Sequence, residues 1–185
     1  MESNHSPEEA QPQAVVQKKS ASRIWLRRGA ELLIFIVIIM GVRAWQQRDI
    51  VQGYARPLAG KLLDGQSYVL PAKPAQPVLV HFWATWCPIC KAEQSSIESL
   101  SRDNPQVIAV AMQSGDVAAV QQYMREQGVS FPVVNDAEGQ LSALWGVSAV
   151  PASFIIDAEG KIRYVEIGYT TGWGLRFRLW LAEIL

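Results

Sequence analysis

Val78-Leu79-Val80-His81-Phe82-Trp83-Ala84-Thr85-Trp86-Cys87-Pro88-Ile89-Cys90 runs from an apolar, β-prone segment directly into a Cys-x-x-Cys pair, and these are the chain's two cysteines. A strand that delivers such a pair to the start of a helix sets the first sulfur against unpaired backbone N–H groups and the positive end of the helix dipole. Both favour the thiolate. Cys87 is therefore expected to attack as nucleophile, and Cys90, one turn further on, to resolve the mixed disulfide.

Four competing readings use the same residues. Half of a structural zinc site would need four ligands, and only His5 and His81 remain as soft donors. A purely structural disulfide closes too small a loop here to stabilise much through chain entropy. The third is a binding module in which both thiolates hold Cu(I), a soft metal suited to them. A peroxidase on a similar scaffold is disfavoured by Cys-x-x-Cys spacing with no distant resolving cysteine.

The 185 residues suffice for one ordinary domain plus a targeting segment. Formal net charge is zero and no basic block interleaves with aromatics, so nucleic acid is not an expected partner. The scattered glycines form no phosphate cradle. Neither cofactor nor metal is expected.

Residues 1–28 read as a disordered cytoplasmic tail, rich in Glu, Gln, Ser, Pro and Ala at its start. Residues 29–45 read as a transmembrane anchor: Arg23, Arg27 and Arg28 precede an uncharged run from Leu32 to Val42, with Trp25 and Trp45 flanking it. At 17 residues the span is tight, and Glu31 and Arg43 must sit near its interfaces. Lys18, Lys19, Arg23, Arg27 and Arg28 before it outnumber Arg43, Arg48 and Arg56 after it. That bias places the tail in the cytoplasm and the cysteines in the periplasm, on a single-pass protein of the inner membrane.

Residues 46–59 read as a polar linker and 60–185 as the catalytic domain. A turn at Asp64-Gly65 is flanked by short strands. After the strand Val78–Ala84 come a helix over 91–102, a buried strand over 107–112, and a helix over 117–127 capped by Asp116 and ended by Gly128. A short strand at 131–134, a short helix at 138–145, a hairpin of 153–156 with 162–167, and a final helix over 175–185 complete the chain. The order predicts an α/β fold with a central mixed sheet flanked by helices.

With strand, Cys-x-x-Cys helix and a Val-Pro before a hairpin all in place, residues 60–185 resemble the thioredoxin superfamily. Phe82-Trp83-Ala84-Thr85-Trp86-Cys87-Pro88-Ile89-Cys90-Lys91-Ala92-Glu93 is similar to the signature of membrane-anchored oxidoreductases of the TlpA and DsbE type, above all the suppressor-of-copper-sensitivity D group. The resemblance implies a thioredoxin fold behind an N-terminal transmembrane helix. It implies a thiol:disulfide oxidoreductase, more a reductant than an oxidant, acting in copper tolerance. It also makes Val150-Pro151 a cis-proline loop facing the disulfide, with Val150, Trp86, Pro88 and Ile89 meeting the client.

Thioredoxins proper carry a buried Asp where this chain has His81. An imidazole there shuttles protons, or is a neutral, hydrogen-bonded core residue. Glu93 matches a family position near the site, and is also simply a carboxylate suited to a helix first turn. Trp86 is expected to shield the disulfide and Trp83 to lie in the core, with Trp145, Trp173 and Trp180 assigned to packing or the membrane surface. Expected partners are client proteins with disulfides or thiols and a membrane thiol-disulfide donor or acceptor, the chain itself being a monomer. Ala149-Val150-Pro151-Ala152 departs from the Gly-Ala-Pro-Glu of cytochrome c maturation reductases, and no kinking proline stands between Lys91 and Leu100.

Overall fold

The computed structural model describes residues 21–47, 51–104 and 106–184. The chain divides into two units, Met1–Trp45 and Gln46–Leu185. The first holds all but the last two residues of α1 (Ala21–Gln47), so the last residues of the expected tail are helical, whereas residues 1–20 lie outside the described residues.

The anchor expected over 29–45 falls inside α1, and Leu32 to Met40 are exposed along it. Among the described residues, however, no helix is long and apolar enough to cross a membrane. Along α1, eleven uncharged residues separate Glu31 from Arg43.

In the second unit, β1 (Ala59–Lys61) and β2 (Ser67–Val69) form an antiparallel ribbon around the expected Asp64-Gly65 turn, where the Asp64 carboxylate accepts from Gln66 N–H at 2.9 Å. There follow β3 (Val78–Trp83), α2 (Pro88–Asp103), β4 (Val107–Met112), α3 (Val117–Gln127), β5 (Val133–Asp136), α4 (Gln140–Leu144), β6 (Ala152–Ile156), β7 (Ile162–Ile167) and α5 (Gly172–Ile184). The sheet order is β5-β4-β3-β6-β7. Strands β3, β4 and β5 run parallel, β6 pairs antiparallel with β3, and β7 pairs antiparallel with β6.

This is the expected mixed sheet of the thioredoxin fold. β3 is its middle strand and is buried from end to end, which is why its sequence, His81 apart, is apolar rather than alternating. Alternation of side chains still sorts them by face. Leu79 and Trp83 join Ile97, Leu100, Leu175 and Leu179 in one core, and Val78, Val80 and Phe82 join Trp145 and Phe154 in the other.

Residues 51–59, read from the sequence as linker, belong to the domain. Val51 N–H donates to Trp145 C=O at 3.3 Å, Ala55 N–H to Gly160 C=O at 2.9 Å, and Leu58 is only 1 % exposed. The connector looked polar because its few apolar residues are widely spaced. The structure uses those few to cover the Trp145 side of the sheet.

Candidate active site

The central strand ends at Trp83, and the chain turns through Ala84, Thr85 and Trp86 before α2 begins. Cys87 is the N-cap of α2, with extended backbone, and its sulfur accepts from the Cys90 N–H at 3.0 Å. Pro88 occupies the first turn, where its missing N–H costs nothing. A sulfur that replaces the usual capping oxygen receives the field of the helix start directly. Cys87 and Cys90 are joined in a disulfide, with Cα atoms 5.3 Å apart.

Both cysteines are buried, but their rim is open. Trp86 is 59 % and Ile89 49 % exposed, and Pro88 is exposed between them. Across the site the Val150–Pro151 peptide is cis, as the resemblance implied, and the Val150 carbonyl oxygen lies 3.6 Å from Cys87 Sγ. Pro151 is tied to the end of β7 by Gly168 N–H donating to its carbonyl at 2.8 Å. Cys87, Cys90, Trp86, Pro88, Ile89, Val150 and Pro151 thus converge.

His81 stands apart from them in its bonding. Its Nδ1 shares a hydrogen bond of 2.9 Å with Ser153 Oγ on the neighbouring strand, and burial pushes its pKa down to about 3. The ring is therefore neutral near pH 7. This favours the core-residue reading over the proton shuttle.

Glu93 is the residue that the sequence reading underweighted. It is fully buried on the α2 face that carries Cys90 and Ile97, and neither carboxyl oxygen makes a hydrogen bond among the described residues. Burial pushes its pKa up to about 7, and the nearby Thr170 N–H opposes that shift without reaching full hydrogen-bond geometry. The signal was present in the spacing: 90, 93, 97 and 100 form one helical stripe, and Glu93 interrupts its apolar run.

Gln113 and Ser114, just beyond β4, were also missed. Trp86 Nε1 donates to the Gln113 carbonyl at 3.0 Å, and Thr85 N–H donates to Ser114 Oγ at 3.0 Å. Ser114 Oγ in turn donates to Met112 C=O at 3.0 Å. Gln113 has φ 45°, the left-handed region, which aims its carbonyl back at the indole. Nothing in the residue types at 113 and 114 signals this brace.

Among the described residues no group of three or more His, Cys, Asp or Glu side chains is arranged to hold a metal ion. Comparisons with known proteins match the chemistry of the sulfur pair. The model of the AhpC/TSA family matches residues 53–165. A thioredoxin-like protein of Haemophilus influenzae is 30 % identical over 159 residues, covering 85 % of this chain and 95 % of its own. The sporulation thiol-disulfide oxidoreductase A of Bacillus subtilis is 26 % identical over 151 residues, 76 % of this chain and 91 % of its own. A secreted Mycobacterium tuberculosis disulfide oxidoreductase, homologous to E. coli DsbE, superposes with a TM-score of 0.58 at 26 % identity, over 67 % of this chain and 95 % of its own. With the fold, the capped Cys87–Cys90 pair and these relatives in agreement, the chain belongs to the AhpC/TSA family of the thioredoxin-like superfamily and is a thiol-disulfide oxidoreductase of the DsbE type.

Proposed function

We infer that the protein reduces disulfides in client proteins outside the cytosol. The observation that carries the disulfide exchange is the seating of Cys87 Sγ, 3.0 Å from the Cys90 N–H at the start of α2 and 3.6 Å from the Val150 carbonyl, and the reducing direction is supported by the resemblance to the TlpA and DsbE type. In the reduced protein the helix start stabilises a Cys87 thiolate, which attacks one sulfur of a client disulfide. A Cys87–client bond forms, the client S–S bond breaks, and the other client sulfur leaves as a thiolate.

Cys90 then attacks Cys87 Sγ, releases the second client sulfur and leaves the Cys87–Cys90 disulfide. Two electrons have passed to the client, and a membrane thiol-disulfide donor must return them. To attack, Cys90 has to lose its proton. Glu93, one turn along the same buried face with a pKa near 7, is suited to receive it. Extended client backbone would pair along Val150, between Trp86 and Ile89.

The setting rests on less direct support. A mycobacterial relative, 33 % identical over 138 residues, is named as a soluble secreted antigen. The consecutive exposed apolar side chains of α1 support attachment to a membrane. The likeness to the suppressor-of-copper-sensitivity group supports a role during copper stress.

Cys90→Ala tests the whole reading, because it removes the resolving thiol and leaves Cys87 joined to its client. Expressed in cells, the variant should accumulate mixed disulfides with extracytosolic proteins that are released by dithiothreitol. If no adducts form, or if adducts form only with cytosolic proteins, the reading fails.

A further inference from the structure

Helix α5 has two apolar sides, and the domain covers one of them. Leu175, Leu179 and Ala182 are buried against the sheet, while Trp173, Phe177, Trp180 and Ile184 are 84 %, 57 %, 51 % and 58 % exposed. Phe177 and Trp180 stack on each other, with ring centroids 5.8 Å apart. A helix that is apolar on both sides is suited to burial on both. The segment also lies beyond residues 53–165, so the family match does not account for its outer face.

The exposed residues recur at intervals of four, three and four, and that pattern reads the same from either end. An interface between two identical copies about a two-fold axis has to be self-complementary. We propose that the outer face of α5 is the interface of an antiparallel homodimer, with the axis crossing the helix between residues 178 and 179. Trp173 then meets Ile184 of the second copy, and Phe177 meets Trp180 of the second copy, so the two aromatic stacks form one central cluster.

Charge supports this register. Arg176 and Glu183 flank the stripe on the same side, seven residues apart, and the antiparallel pairing sets each Arg176 against Glu183 of the second copy. Within its own chain Arg176 is already oriented by Asp103, at 2.6 Å, and by Ser99 Oγ, at 3.0 Å. Its guanidinium has further N–H groups to offer. Arg178, on the other flank, is engaged by Glu166 at 2.7 Å and stays clear of the pairing.

The area is sufficient but not large. Taking about 150–250 Å² for an aromatic side chain, the exposed stripe offers roughly 500 Å² per copy. A pair therefore buries about 1,000 Å², at the lower bound for a specific interface. The dimer should accordingly dissociate on dilution.

The test is sedimentation velocity on the oxidised full-length chain, in a mild non-ionic detergent, over a dilution series. The wild type should form a dissociable dimer. Phe177→Asp with Trp180→Asp should sediment as a monomer while retaining disulfide-exchange activity, which shows that its fold is intact. Arg176→Glu alone and Glu183→Arg alone should each weaken association by about tenfold or more, and the two together should restore it. A wild type that is monomeric throughout overturns the proposal, as does a dimer that survives the aspartate pair or a charge exchange without recovery. A monomer that instead co-sediments with phosphatidylglycerol vesicles through these residues also overturns it, and makes the stripe a lipid contact.

Discussion

Glu93 and His81 are both buried and titratable, and burial drives them in opposite directions, the carboxyl up to about 7 and the imidazole down to about 3. The consequences for stability have opposite signs. Between about 4.5 and 7 the unfolded chain has released the Glu93 proton that the folded chain keeps, so stability falls as pH rises through that window. Between 6.5 and about 3 the unfolded chain binds a proton that folded His81 refuses, so stability falls as pH drops. Where the windows overlap the two slopes oppose each other. Glu93→Gln, uncharged at every pH, should remove one slope and expose the other. Urea unfolding of the variant should show stability rising from pH 4.5 to 6.5, and relative to wild type a gain between pH 4 and 8 on the order of 2 kcal/mol. A parallel shift at all pH values would mean that Glu93 is ionised in the fold. Glu93 was legible from the helical stripe that it interrupts, whereas the Thr170 N–H that faces it comes from 77 positions away and leaves no local signal.

The strands and the main helices were readable because their periods are strong, and their ends were not. The sequence reading begins α2 at Lys91, yet it starts at Pro88 because Cys87 acts as the cap. It begins α5 at Leu175, yet three further residues are helical, and Gly172 is accepted in that first turn because a Cβ there would come within 3.2 Å of Ser96 on α2. Glycine weakens the local signal for helix while allowing the two helices to approach. The turn from β3 to α2 is likewise held from outside itself, by Gln113 and Ser114. Ser114→Ala leaves the Thr85 N–H without its acceptor, which should cost about 1–2 kcal/mol in urea unfolding. It also loosens the approach to Cys87, so the reduced variant should react more slowly with a model peptide disulfide. Ser114→Thr, which keeps the hydroxyl, should recover most of both. If the alanine variant loses stability but reacts at the wild-type rate, the brace serves the fold alone.

The second unit, Gln46–Leu185, is a sheet covered on both sides, and the two covers are made differently. On the side of the cysteines, α2, α3 and α5 supply periodic helices that the sequence displays plainly. On the other side the cover is Trp145, from the turn that ends α4, together with Val51, Leu58 and Leu70 from irregular chain. Trp145 packs against Phe82 and Phe154 with centroids 5.7 and 5.0 Å apart, and its Nε1 donates to the Pro57 carbonyl at 3.4 Å. Isolated apolar residues in a polar stretch carry no period, so a linker was the natural reading of 46–59. The structure makes it a strap, and the two readings differ in what Leu58 should do. In a linker, Leu58→Ala changes stability by no more than about 0.5 kcal/mol. In the strap it opens a cavity beside fully buried aromatics and should cost about 2–5 kcal/mol. Leu70 N–H donates to the Leu58 carbonyl at 2.8 Å, a backbone bond that the substitution keeps, so the loss reports packing. A chain begun at Gly60 should be less stable still, because it also gives up the Val51 and Ala55 hydrogen bonds to Trp145 and Gly160, whereas one begun at Gln46 should match the full chain in urea. Equal midpoints for the two truncations would return residues 51–58 to the role of a tether.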